Sequence, residues 1–172
     1  MTCGLIASIA LLGTAQFPPQ ETPKTTREDE IGVPGKDLTP AQIDVAREVL
    51  KFTNMERKAE KIDPLKLNWD LSNVAIWKAT DMATNNYFSH VDSKLRSPST
   101  LVEESGFKDW RAVGENILGG AEDSKEALKL WMQSPGHKKA ILDKRFQELG
   151  VGYTFDIKSK YIKYYVQIFY SK

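Results

Sequence analysis

Ile43, Ala46, Val49, Leu50 and Thr53 recur at the three- and four-residue steps of one helical face, which predicts a first helix from about residue 40 to about 60. Thr39-Pro40-Ala41-Gln42 supplies its start: a capping hydroxyl, a proline suited to the first turn, and a Gln that can reach back to the cap. Asp63-Pro64 ends it. After the connector PLKLNW, Leu71, Val74, Ala75, Ala79, Met82 and Ala83 share one face of a second helix, with Asp70 as the expected cap and an end toward Tyr87. A short helix is predicted over Pro98 to Glu104, with Ser97 as cap and Gly106 in the following position that tolerates positive φ.

The pattern then changes. Arg111 to Leu118 (RAVGENIL) is too short for a helix and is followed by Gly119-Gly120, so it reads as a short internal strand carrying Glu115. A fourth helix follows from about Asp123 to Gln133. Ser134-Pro135 is a second cap signal, opening a helical segment to about Leu142 with His137 in its first turn. Strict alternation takes over in the tail: Leu149, Val151, Tyr153 and Phe155, then Ile162, Tyr164, Val166 and Ile168, joined through DIKSK as an antiparallel hairpin. Helices early and in the middle with antiparallel strands mostly late indicate an α+β fold.

Composition narrows this further. A chain of 172 residues supports one sizeable core, and 24 Lys and Arg against 23 Asp and Glu leave a formal charge of +1. Nothing in that total invites a phosphate backbone or an anionic membrane, and nucleic acid is excluded as an expected partner. Residues 3–15 are apolar and uncharged but too short to span a bilayer; with Gly13 and Ala15 they read as an export leader over 1–15, the other reading being a buried or frayed N-terminal helix. Residues 16–38, with Pro18, Pro19, Pro23 and Pro34, read as a flexible tether, and 39–172 as the folded domain. The expected location is secreted or at the outer cell surface. The alternative is a lipid anchor through Cys3, the only cysteine, which also rules out an internal disulfide.

Two histidines are present, so three-histidine metal ligation within one chain is excluded. His90 at the end of YFSH, Glu115 in GENI and His137 in SPGH each stand at an element boundary, where a scaffold presents side chains to a shared cleft. Two imidazoles and a carboxylate are the donor set of a His2Glu zinc site. Each residue also has a structural reading: His90 as a positive group near the second helix C-terminus, Glu115 as a surface or strand-end carboxylate beside the turn-former Asn116, and His137 as a neutral ring packed on Trp131. Ser134 lacks a G-x-S-x-G elbow and is read as a cap, not a nucleophile. Trp69, Trp77, Trp110 and Trp131 read as core or cleft lining.

The run TNMERKAEKIDPLKLNWDLSNVAIWKATDMATNNYFSH, then GENI, LWMQSPGHKKAIL, ELGVGY and YYVQIFY, resembles in order the bacterial SCP type of the CAP superfamily (cysteine-rich secretory protein, antigen 5, pathogenesis-related-1), over about residues 44–170. The resemblance implies an α-β-α sandwich, a small antiparallel sheet flanked by helices, with a cleft that in the family carries two histidines and two acids. His90 and Glu115 match the first pair. The second acid falls at Ser134, the strand histidine is missing from YYVQ (Tyr164 to Gln167), and His137 of SPGH is expected to approach the same cleft. Trp77 stands where many bacterial relatives carry a polar residue.

Two functional readings result. In the first, the chain is an exported, non-enzymatic binding or host and cell-surface interaction module, a monomer whose cleft (His90, Glu115, Asn116, Ser134, His137) takes a small lipid, a peptide, a host surface molecule or a divalent metal. In the second it is a zinc-dependent hydrolase or protease, with His90 and His137 holding Zn2+ and Glu115 as third ligand or general base. One carboxylate can hardly fill both roles, so the hydrolase needs another acid in the cleft, Asp92 or Glu148 for instance. The first reading is therefore preferred.

Overall fold

The structure, a computed structural model, describes residues 38–172. The expected leader with Cys3, and the tether up to residue 37, lie outside the described residues. The order is α1 (Pro40–Ala59), β1 (Lys66–Leu67), α2 (Trp69–Thr84), α3 (Pro98–Glu104), β2 (Ala112–Gly119), α4 (Ser124–Gln133), α5 (Pro135–Ile141), β3 (Glu148–Phe155) and β4 (Lys163–Ser171).

α1 starts as its sequence dictates. Thr39 Oγ1 accepts from the Gln42 amide at 3.3 Å, and Gln42 Oε1 accepts from the Thr39 amide at 2.9 Å. α2 corrects two expectations: its cap is Asn68, not Asp70, and it stops at Thr84, short of Tyr87. Asn68 Oδ1 accepts from the Leu71 amide at 2.9 Å while its amide group donates to Glu148, so a contact with a distant strand decides between two local candidates. Ser134 precedes α5 in extended backbone, yet its side chain makes no capping bond. Gly106 does take positive φ, at 98°.

The four strands lie in the order β1-β3-β4-β2. β4 pairs antiparallel with β3 and β2, but β1 runs parallel to β3, so the sheet is mixed and not purely antiparallel. β2 forms an edge of the sheet and is not internal. Alternation along β4 sorts the two cores. Tyr165 and Phe169 face the layer of α1, α4 and α5, with Val49, Leu128, Trp131 and Ile141. Tyr164, Val166, Ile168 and Tyr170 face α2 and α3, with Leu71, Ala75, Met82 and Val102. This is an α-β-α sandwich.

Two glycines let α2 lie directly on β3. A Cβ on Gly150 would come within 2.5 Å of the Leu71 carbonyl, and one on Gly152 within 2.2 Å of the Ala75 carbonyl. On the other face, the buried Arg57 donates from Nε to Asp63 O (2.8 Å), from Nη1 to Ile141 O (2.8 Å) and Asp143 O (3.0 Å), and from Nη2 to Phe146 O (3.2 Å). One guanidinium thereby donates to four backbone carbonyls and ties α1 to the α5–β3 turn.

Candidate functional site

Glu115 and Asn116 are neighbours on the edge strand β2, and alternation sends their side chains to opposite faces of the sheet. Glu115 points to the α2 side, where Ile117 joins that core; Asn116 points to the α1 and α5 side, beside its cross-strand partner Gln167. Glu115 holds the ring of His90, and Asn116 the backbone of His137.

On the α2 side, His90 comes from the loop between α2 and α3. Its Nδ1 stands 2.7 Å from Glu115 Oε1; the His90 side chain is 52% exposed and that of Glu115 only 1%. An ionised carboxylate only accepts, so Nδ1 carries the hydrogen and Nε2 is the free ring nitrogen of neutral His90. His90 lies six positions beyond the end of α2 at Thr84, so it is not the helix-capping cation that its sequence position allowed. Among the described residues Glu115 Oε2 is buried without a hydrogen-bond partner.

The nearby charge is organised by a lysine. Lys78 lies on the apolar stripe of α2, fully buried, and its Nζ donates to Tyr87 Oη at 3.1 Å and sits 4.9 Å from that ring's centre. Burial pushes its ammonium pKa down, opposed by the carboxylates of Glu115, Asp92 and Asp81 in that order. Asp81 accepts from Ser93 Oγ (2.6 Å), the Ser93 amide (3.0 Å), Asn85 Nδ2 (2.7 Å) and Tyr87 Oη. Burial alone would raise its carboxyl, but these bonds hold it below the usual range. Asp92 accepts from the Lys94 and Arg96 amides and from Arg96 Nε at 2.7 Å. The loop bearing His90 is thus tied down at both sides.

On the other side, Asn116 Nδ2 donates to the His137 carbonyl at 3.2 Å and to Gln167 Oε1 at 3.0 Å, and Gln167 Nε2 donates to Thr53 Oγ1 at 2.9 Å. This buried chain runs from α1 across two strands to the first turn of α5. His137 is half-buried there, and its pKa is lowered, first by burial and then by the charge of His90.

The other sequence candidates divide. Ser134 is half-buried at the α5 start; Asp92 is committed to its own loop, and Glu148 lines a separate groove with Lys66, Lys144 and Phe146. Trp69 and Trp131 are core, with Trp131 Nε1 donating to Ile117 O at 3.2 Å, whereas Trp77 and Trp110 are exposed at the surface. Trp77 lines a 550 Å3 groove with Asp70, Asn73 and Phe107, and a 680 Å3 groove lies between α1 and α4 over Phe52, Met55, Leu128 and Met132. None of these three grooves includes His90, Glu115 or His137. Sequence reasoning missed Lys78, Asp81 and Gln167; the available signal was a lysine on the apolar stripe 71, 74, 75, 78, 79, 82.

The profile of the cysteine-rich secretory protein family, CAP, matches residues 50–169. The chain belongs to the CAP family. Over 107 residues it is 37% identical to the uncharacterized protein YkwD of Bacillus subtilis, covering 62% of this chain and 41% of that one. The crystal structure of an extracellular protein containing an SCP domain from Bacillus anthracis superposes with a TM-score of 0.69 at 31% identity, over 80% of this chain and 45% of that one. An outer surface protein from Borrelia burgdorferi superposes with a TM-score of 0.68 over 81% of this chain and 99% of its own, and at 18% identity that likeness concerns the fold. The chain spans less than half the length of the two bacillar proteins.

In this CAP domain the fit to a metal is poor. Among the described residues no group of three or more His, Cys, Asp or Glu side chains is placed to hold a metal ion. Glu115 Oε1 is engaged with His90 Nδ1, which makes the carboxylate an orienting partner of the ring. Two imidazoles alone fall short of the three protein ligands of catalytic zinc.

Proposed function

We propose that this CAP domain is an exported binding module that acts outside the cell and takes a peptide or small polar-headed lipid at the β2 rim without turning it over. The observation that carries the reading is the His90–Glu115 pair: a half-exposed imidazole with Nδ1 held by a buried carboxylate. Such a ring is oriented before the ligand arrives, so little freedom is lost on binding. Its Nε2 accepts a hydrogen bond from the ligand, and His137, kept neutral by its surroundings, offers a second imidazole across the strand edge. The exterior location is supported by the leader-like residues 1–15 and by the extracellular and outer-surface descriptions of the two structural relatives.

Turnover is disfavoured by the donor set. The rim carboxylate, Glu115, holds His90 through Oε1, and the position the family resemblance gives to a second acid is Ser134. With Glu115 holding Nδ1, the rim offers His90 Nε2 as a base, but position 134 supplies no acid to protonate a leaving group. The test is titration of the 15N-labelled protein with peptide and lipid panels, read at the two imidazoles, beside peptide and ester turnover in chelator-treated and zinc-restored protein. Saturable shifts at His90 and His137, weakened about tenfold or more in His90→Ala, with no turnover in either preparation, are expected. Turnover that follows the metal and vanishes in Glu115→Gln would replace this reading with a hydrolase.

A further inference from the structure

The chain's overall charge hides a local asymmetry. The turn between β3 and β4, residues 156–162, exposes Ile157 (73%) and Ile162 (42%), and Phe155, the last residue of β3, is 57% exposed. Exposed lysines Lys158 and Lys160 alternate with them. Phe88, also exposed, extends this apolar surface from the loop between α2 and α3, its ring 5.2 Å from that of Tyr161.

This tip is built, not loose. Asp156 Oδ1 accepts from the Lys158 amide (2.9 Å), Ser159 Oγ donates to Asp156 O (2.8 Å), and Asn86 Oδ1 accepts from the Lys160 amide (3.2 Å). Ile162 has φ 63°, a left-handed conformation that is a genuine outlier for a β-branched residue. The fold thus holds an isoleucine in strained backbone and leaves it, with Ile157 and Phe155, facing water. Neither choice helps the free domain.

We propose that the β3–β4 hairpin tip docks the protein on an anionic lipid surface, with Phe155, Ile157 and Ile162 entering the interface and Lys158 and Lys160 meeting the headgroups. Charge complementarity selects the anionic surface, and the apolar side chains select a bilayer over a soluble polyanion, because only hydrocarbon takes them out of water. Two lysines and three apolar residues give reversible binding, not insertion. The inference is independent of what occupies the His90 rim.

Co-sedimentation of the full chain with phosphatidylglycerol-containing and pure phosphatidylcholine vesicles tests it. Expected are binding to the anionic vesicles that weakens with salt, a loss of about fivefold for each of Lys158→Glu and Lys160→Glu, and about tenfold for Ile157→Ser. Met55→Ser removes an exposed apolar side chain 13 residues beyond Gln42, the α1 residue that bonds Tyr153 of β3, and leaves binding unchanged. Equal binding to both vesicle types, binding indifferent to Ile157→Ser, or no binding overturns the proposal. Binding that depends on the lysines alone and is matched by soluble polyphosphate reassigns the tip to polyanions.

Discussion

His90 Nδ1 and Glu115 Oε1, 2.7 Å apart, join a half-exposed ring to a carboxylate that is almost entirely buried. The carboxylate also serves inward, as the strongest counter-charge of buried Lys78. Glu115→Gln keeps an acceptor for His90 but removes that charge. It is expected to lower stability by about 2 kcal/mol in urea unfolding, more than a surface carboxylate would. An unchanged midpoint would show that Lys78 does not need Glu115.

Lys78→Met replaces the ammonium by an apolar chain of similar length and leaves Glu115, Asp92 and Asp81 without the cation between them. The expected loss is about 3 kcal/mol, because uncompensated buried charge costs more than the pair contributes. A neutral or stabilising result would mean that the carboxylates are already satisfied by Ser93, Asn85, Tyr87 and Arg96.

Asn116→Ala cuts the chain between His137 and Gln167 and leaves the His137 carbonyl and Gln167 Oε1 without their donor. A destabilisation of about 2 kcal/mol is expected, with faster amide exchange confined to the first turn of α5 and the adjoining part of β2. Uniform acceleration across the domain would point to a general loss of packing instead.

His137 makes stability depend on pH. Its folded pKa lies below the ordinary 6.5, through burial and the charge of His90, so between the two values the unfolded chain binds more protons. The contribution is fully present above pH 6.5 and is lost as pH falls through the folded value. His137→Gln should flatten the decline in melting temperature on acidification below pH 6.5; a variant whose curve parallels wild type contradicts the assignment.

Elements with local signatures were legible in the sequence. Thr39-Pro40 with Gln42, Ser97-Pro98 and Asp123 each announce a helix start through residues within one turn, and the alternation of the last two strands is unambiguous. The two-residue β1 was not, because its only cause is pairing with Glu148 and Leu149, some 80 residues away. For the same reason Asn68 won the α2 cap over Asp70. At the rim, His90, Glu115 and His137 could be singled out by residue type and position, but not the division of labour that places Glu115 and Asn116 on opposite faces of one strand. The alternation follows from β2 being a strand, but which partner each face meets, the α2–α3 loop for Glu115 and α5 for Asn116, is set by distant segments that no local pattern encodes. Lys78 was readable in principle as a charge on an apolar stripe, a placement that demands buried partners.

Glu115 holds Nδ1 of His90 through Oε1 and keeps Oε2 buried, so it serves as an orienting partner of the ring and not as a metal ligand or base. A long-range 1H–15N spectrum of the two imidazoles at pH 8, followed as zinc is added to one equivalent, tests this directly. Predicted are a His90 ring with its proton on Nδ1 and resonances that stay in place through the titration. A proton on Nε2, or stoichiometric shifts of both histidines with zinc, would contradict it.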